Sequence, residues 1–335
     1  YSDDPAADLR RLSVDYSEAM GVLARRYPDD LDAATLYAES LMDLRPWRLW
    51  MADGTPEEGT ETIVGVLEAV LRRDPQHVGA NHYYIHAVEA SRTPERALAS
   101  AKRLETLVPM AGHLVHMPAH IYMRTGDYGA AARSNEAAVR VDQAYLDATG
   151  AEGVYPLMYY NHNLQFLADA RAMEGRYADA SRAAAHLVAS GGPAVEAMPM
   201  VEFVLSYPAF VELRFAHWPV VMRLPAPDPP RPLTSAVWSF ARGVACAATG
   251  RVSEAEAERN AFVAARKKVP AELPFGSTGL NRAAAVLELA GLVLDGRLAS
   301  ARGDYAGAIE KLEAAVAAQD RLVYDEPPAW FFPVR

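Results

Sequence analysis

Four glycine-centred marks limit what this chain can fold into. They are Gly126-Asp127-Tyr128, Gly175-Arg176-Tyr177, Gly250-Arg251-Val252 and Gly303-Asp304-Tyr305. Five residues after each glycine stands an alanine: Ala131, Ala180, Ala255 and Ala308. Apolar residues at three- and four-residue spacing run on both sides of each mark, whereas β-branched runs with period two are rare. The pattern predicts helical hairpins. Glycine permits a tight turn, the aromatic or valine covers it, and alanine lets two helices approach closely. Two earlier segments fit more loosely. Ala97, Leu104 and Pro109 take the small, apolar and terminating slots, with Arg92 where the glycine would be. Leu67, Val70 and Pro75 do the same after an insertion, Arg45 to Gly59, that carries Trp47 and Trp50.

These residues resemble the second half of a tetratricopeptide repeat, which implies an all-α solenoid, a superhelix of stacked helical hairpins. Irregular spacing makes the array degenerate, and a non-repeating helical bundle is the plain alternative. The runs Asn81-His-Tyr-Tyr-Ile-His86, His113-Leu-Val-His-Met-Pro-Ala-His120 and Glu326-Pro-Pro-Ala-Trp330 are similar to those of a bacterial family described as tetratricopeptide-repeat proteins. That resemblance implies further repeats on both sides and gives almost no chemistry. Beginning at Tyr1 and stopping after Trp330-Phe331-Phe332, the chain is expected to be cut from something longer. Prolines from Pro225 to Pro232 predict a rigid connector at 225–232, with helical blocks at 1–224 and 233–335.

A net charge of −10 with scattered basic residues argues against nucleic acid or an anionic membrane as partner. No apolar run reaches the roughly 18 residues of a membrane span. Cys246 is the sole cysteine, which excludes an internal disulfide and a thiolate metal cluster and fits a reducing cytoplasm. There is no phosphate-binding loop, no nucleophile elbow and no zinc-protease motif; Tyr83 stands where the last needs glutamate.

Histidine is what sets the first half apart. Six of the nine histidines fall in three short runs: His82 and His86, then His113, His116 and His120, then His162. At about 3.6 residues per turn each set makes a stripe on one helix face. His86, His120 and Asp169 all lie six residues before their turn. His82, His116 and Gln165 lie ten before, and His113 and His162 thirteen before. Successive first helices therefore present polar groups at matching rotational positions, which in a tetratricopeptide hairpin line the concave groove. Six residues before the two later turns stand Val244 and Arg297, so the special chemistry is expected in the first half alone.

Neutral imidazole suits copper, iron, zinc and nickel, and carboxylates push the choice toward iron, manganese or zinc. The candidate metal ligands are His82, His86, Glu89, His113, His116, His120, His162 and Asp169, with Glu39 and Asp43 from an earlier helix, roughly Leu31 to Leu44. Trp47, Trp50, Tyr83, Tyr122, Tyr159, Asn161 and Gln165 are candidates to wall a substrate pocket. No catalytic residue can be singled out. The expectation is a metal-dependent enzyme acting on a small molecule, with oxidation at copper or iron preferred over hydrolysis at zinc. Two readings compete with it. One is a groove that binds a peptide or partner protein without catalysis. The other is a polar groove whose histidines bond one another and Tyr83, Tyr84 and Tyr122. His77, His186 and His217 are read as ordinary structural histidines.

Overall fold

The computed structural model describes residues 2–4, 6–227 and 231–335, and it is helical almost throughout. Two compact units divide within one helix, at Asp142 and Gln143. The first contains α1 (Leu9–Arg26), α2 (Leu31–Met42), α3 (Thr60–Arg73), α4 (Val78–Val88), α5 (Leu98–Leu107), α6 (Gly112–His116) and α7 (Pro118–Thr125), then most of α8 (Tyr128–Thr149). Side-chain caps start several of these helices: Asp8 accepts from Arg11 N on α1, and Asp30 from Ala33 N on α2.

Within this unit α2 packs on α4 and α4 on α7, while α3 and α5 fill the spaces between successive first helices. The row α2–α4–α7 carries the inner polar residues. Its backing is apolar, with Ile63, Leu67, Leu104 and Ile121 all sealed from solvent.

The second unit contains α9 (Asn161–Met173), α10 (Tyr177–Gly191), α11 (Tyr207–Arg214), α12 (Trp218–Val221), α13 (Pro232–Ala248), α14 (Val252–Arg266), α15 (Ala283–Ala301) and α16 (Tyr305–Asp320). A π-helical turn, Tyr155–Tyr160, leads into α9. The only sheet among the described residues is a two-stranded hairpin, β1 (Pro274–Phe275) with β2 (Asn281–Arg282).

All four glycine marks close helical hairpins, with φ of 85°, 78°, 75° and 81° at Gly126, Gly175, Gly250 and Gly303. A Cβ at any of them would touch nothing within 4 Å, so the backbone conformation alone demands glycine. The matching alanines are buried where the two helices meet.

The unit boundary differs from the expected proline connector at 225–232, of which residues 228–230 lie outside the described residues. On either side of that stretch the chain stays together. α11 and α12 pack against α13, Trp238 Nε1 donates to the Leu224 carbonyl at 3.1 Å, and Arg242 donates to the Met222 carbonyl at 2.9 Å. Cys246 is fully buried, 3.7 Å from the sulfur of Met222.

Candidate metal centre

The site of the first unit begins with the way α4 ends. A helix terminus leaves carbonyls without partners, and here two side chains satisfy them. Trp50 Nε1 donates to the Ala87 carbonyl at 2.8 Å. Arg124, from α7, donates to the carbonyls of Glu89 and Ser91 at 2.9 and 3.2 Å. The last turn of α4 is thus pinned to α7, with His82, His86 and Glu89 on the pinned face. Facing them, α6 and α7 carry His113, His116 and His120. Pro118 breaks the hydrogen-bond ladder between the two short helices, but Met117 stays in the right-handed helical region, so the histidine stripe survives the break.

Five imidazoles and one carboxylate meet there. His82 Nε2 lies 3.1 Å from His113 Nε2, and the His82 and His86 rings are 5.0 Å apart. His82, His86 and His113 bring one ligand atom each to within 4.8 Å of the others, a grouping that could hold a metal ion. The His86 and His120 rings are 5.2 Å apart. Glu89 joins them: Oε1 is 2.8 Å from His86 Nδ1, and Oε2 is 2.7 Å from His120 Nδ1. His120 Nε2 in turn lies 2.7 Å from His116 Nε2, and His116 Nδ1 lies 2.7 Å from Asn135 Oδ1 on α8. His116, His120, Glu89 and Asn135 are almost wholly buried, while His82, His86 and His113 keep some exposure.

Electrostatics follow from that enclosure. Burial drives the His82 imidazole down to about 3, helped by the neighbouring charge of His86 and His120, and drives His113 well below its ordinary value. Burial alone would raise Glu89, yet the His120 and His86 rings hold its carboxyl well below the usual range. The lowered values keep His82 and His113 neutral, the form in which imidazole binds metal.

Glu39 and Asp43 lie beside each other, and burial raises both, with the Asp43 charge adding to Glu39. Tyr16 donates to Glu39 at 3.2 Å, and the hydroxyl of Tyr83 is raised by burial and by both carboxylates. Neither acid is among the groups that could hold an ion. Tyr83 does reach the cluster with its ring, 4.7 Å from that of His82. Tyr122 instead donates to Glu105 on α5 at 2.5 Å. It follows His120 by two residues, about 200° around the helix, and so faces away. Tyr84 likewise donates to Glu68, at 2.7 Å. Trp47 is about half exposed in the insertion, and Trp50 serves the end of α4.

In the second unit α9 holds Asn161, His162, Gln165 and Asp169. Asn161 donates to the Leu157 carbonyl at 3.2 Å, and the His162 ring lies 4.9 Å from Phe166. Gln165 accepts from Ser277 at 2.5 Å, and Asp169 accepts from Tyr207 at 3.2 Å. Burial raises Asp169 to about 8, with the Tyr207 hydroxyl opposing it. Asn161, His162, Gln165 and Ser277 line a narrow recess together with Met158, Val201 and Phe203. Tyr159 stacks on Tyr155, ring centres 5.4 Å apart. The three histidines read as structural are so engaged. His77 caps α4 by accepting from Ala80 N, His186 pairs with the Tyr160 hydroxyl at 3.0 Å, and His217 lies 3.1 Å from Glu212.

Asn135, Arg124, Tyr207 and Ser277 were not anticipated from sequence. Asn135 had a signal: it is a polar residue four after Ala131, inside the alanine-rich face that closes the hairpin.

No protein-family model matches the chain, and neither does any curated protein. No helix among the described residues is long and apolar enough to cross a membrane.

Proposed function

We propose that the first unit is a metal-dependent catalytic unit, built on tetratricopeptide-like hairpins, with a transition-metal ion on His82, His86 and His113. The convergence of these three imidazoles from α4 and α6 carries the reading. Three protein ligands are the usual number at a catalytic metal, because they leave a position for water or substrate. Nitrogen-only ligation suits copper and iron as well as zinc, and we favour oxidative chemistry on a small molecule at one of the redox-active pair. Glu89 bonds to His86 from outside the set, as a carboxylate that fixes a ligand ring commonly does. Tyr83, beside His82, offers an aromatic wall to a substrate entering at the less buried side.

Elemental analysis of tag-free protein purified from its producing cells tests the metal. Copper or iron near one equivalent or more per chain is the expected result, falling to trace in His82→Ala. Copper-loaded protein supplied with ascorbate should consume dioxygen faster than His82→Ala treated alike. Zinc as the sole metal, with no redox turnover on loading, would favour hydrolysis. Absence of any metal would leave the groove as a protein- or peptide-binding surface.

A further inference from the structure

The narrow recess of the second unit is lined by two kinds of side chain. Met158, Met200 and Phe203 are apolar, and Asn161, Gln165 and Ser277 are polar. Asn161 and Gln165 stand four apart on α9, so they share a face, and both are buried. Ser277 reaches the recess from the turn between β1 and β2. Water-sized groups can place their centres in about 20 Å³ of it, room for roughly one or two at a time. Met200 keeps 38% of its surface exposed, so the recess opens beside it.

Hydrogen bonds fix what the polar side still offers. Asn161 Nδ2 donates to the Leu157 carbonyl at 3.2 Å, and a carbonyl can only accept, so the amide cannot be turned round. That nitrogen lies toward α10, where a Cβ on Gly191 would stand 2.9 Å from it. Asn161 Oδ1, on the other branch of the amide, is buried and has no hydrogen-bond partner among the described residues. Ser277 gives its hydrogen to Gln165 Oε1 at 2.5 Å. Gln165 therefore turns its amide nitrogen to the Tyr207 hydroxyl, which it also bonds, and Tyr207 donates onward to Asp169 at 3.2 Å. The donors of all three residues are engaged. The Asn161 amide oxygen and the Ser277 hydroxyl oxygen remain, and both accept. A buried acceptor without a donor is unfavourable, and a donor entering the recess would relieve it.

We propose that this recess binds the amino group of an aromatic amine, a site that does not depend on the metal reading of the first unit. An uncharged amino group has two hydrogens for two acceptors and asks for no donor in return. A carboxamide would bring a carbonyl that the engaged donors cannot serve. An alkylammonium would bring a charge, and no carboxylate lines the recess to balance it. The amine of an aromatic ring is weakly basic and stays neutral at neutral pH. The narrow interior takes the nitrogen, and the ring lies at the opening by Met200. There the thioethers of Met158 and Met200 supply the sulfur–aromatic attraction that flat rings favour.

The test is a nuclear-magnetic-resonance titration of the full chain, its methionine methyls carbon-13 labelled, with aniline, toluene and benzamide. Met158→Leu and Met200→Leu assign the two methyl signals to be followed. Aniline is expected to shift both along a saturating curve. Toluene, which has the ring without a donor, should bind at least about tenfold more weakly, the worth of one or two hydrogen bonds. Benzamide should also bind more weakly than aniline; tighter binding would make a carboxamide the ligand and overturn the assignment to an amine. Asn161→Leu, which loses the acceptor at nearly the same volume, should bind aniline no better than toluene. If that variant loses its helical circular dichroism, Ser277→Ala, on the hairpin turn, decides instead, and aniline's advantage should narrow. An undiminished advantage in whichever variant folds overturns the proposal. So do equal affinities of wild type for aniline and toluene, or shifts that rise with concentration and never saturate, which would leave the recess to water alone.

Discussion

Two hairpins of the molecule share a frame and differ in what fills it. The hairpin of α6, α7 and α8 in the first unit turns at Gly126, and the hairpin of α13 and α14 in the second turns at Gly250. Thirteen, ten and six residues before the turn, the first has His113, His116 and His120, and the second has Val237, Phe240 and Val244. All three apolar residues are buried, as are His116 and His120. The same slots thus face inward in both hairpins. In the second they supply hydrophobic packing. In the first they enclose imidazoles, whose burial is unfavourable unless every ring nitrogen has a partner. A hairpin needs its glycine, its alanine and an apolar back; its inner face is free to carry chemistry.

That contrast predicts opposite responses to truncation. Phe240→Ala should cost about 3–5 kcal/mol of unfolding free energy, as large buried aromatics do. His116→Ala should cost metal-free protein less, about 1–3 kcal/mol, the range for leaving a buried partner such as Asn135 unsatisfied. Chemical denaturation of both variants measures the difference. Equal losses would mean that the imidazoles act as packing and nothing more.

Gly112→Ala should show next how closely the histidine face is built. A Cβ at Gly112, the first residue of α6, would overlap the Asp142 carboxylate on α8. The short helix must shift, and His113 with it. Metal affinity should drop at least about tenfold, equivalent to about 1.4 kcal/mol, in a competition titration against a chelator, with helical content little changed.

The turn glycines supply a control common to both hairpins. Gly126→Ala and Gly250→Ala should each cost about 1–2 kcal/mol, the penalty of a left-handed backbone for a residue with a Cβ. Neither position has anything a new Cβ would meet, so the two costs should be alike. A much larger cost at Gly126 would tie that turn to the histidine cluster.

Acid should separate the hairpins more gently. His82 and His113 have folded values below their unfolded ones, so the unfolded chain binds more protons as pH falls below about 6.5. Stability from these groups is full above that point and declines through mildly acid pH, for His82 down to about 3. Glu89, also depressed, adds stability above its unfolded value near 4.3 that is lost as pH drops through its folded one. Metal-free His82→Leu should therefore lose stability less steeply than wild type between about pH 6.5 and 4.5, as followed by denaturation midpoints. An unchanged slope would place the acid sensitivity elsewhere.

How much of this could be read from sequence follows the same division. Hairpin turns were readable because glycine, alanine and helical spacing are local signals, and Gly126, Gly175, Gly250 and Gly303 all adopt the required conformation. The histidine stripes were readable because periodicity fixes which residues share a face, whatever they later touch. Partners across helices were not. Asn135 lies four after Ala131 on the face that closes the hairpin, but its pairing with His116 depends on how α8 lies against α6, and the role of Arg124 on where α4 ends. Tyr122 was misplaced although its two-residue step from His120 already put it on the far face. Glu39 and Asp43 have a sound helical spacing, but they engage each other and Tyr16, an association that depends on how α1 meets α2. The proline stretch suggested a boundary by composition, whereas the hydrogen bonds of Trp238 and Arg242 hold its two sides together.

Metal retention is the measurement closest to the central claim. Wild type and His86→Ala/His120→Ala would each be incubated with zinc, copper(II) or ferrous iron, the last without oxygen, then passed through gel filtration. Wild type should emerge with at least one equivalent of a transition metal. The double variant should emerge with none and with nearly the same helical circular dichroism. Wild type free of all three metals would contradict the claim that these imidazoles form a metal centre.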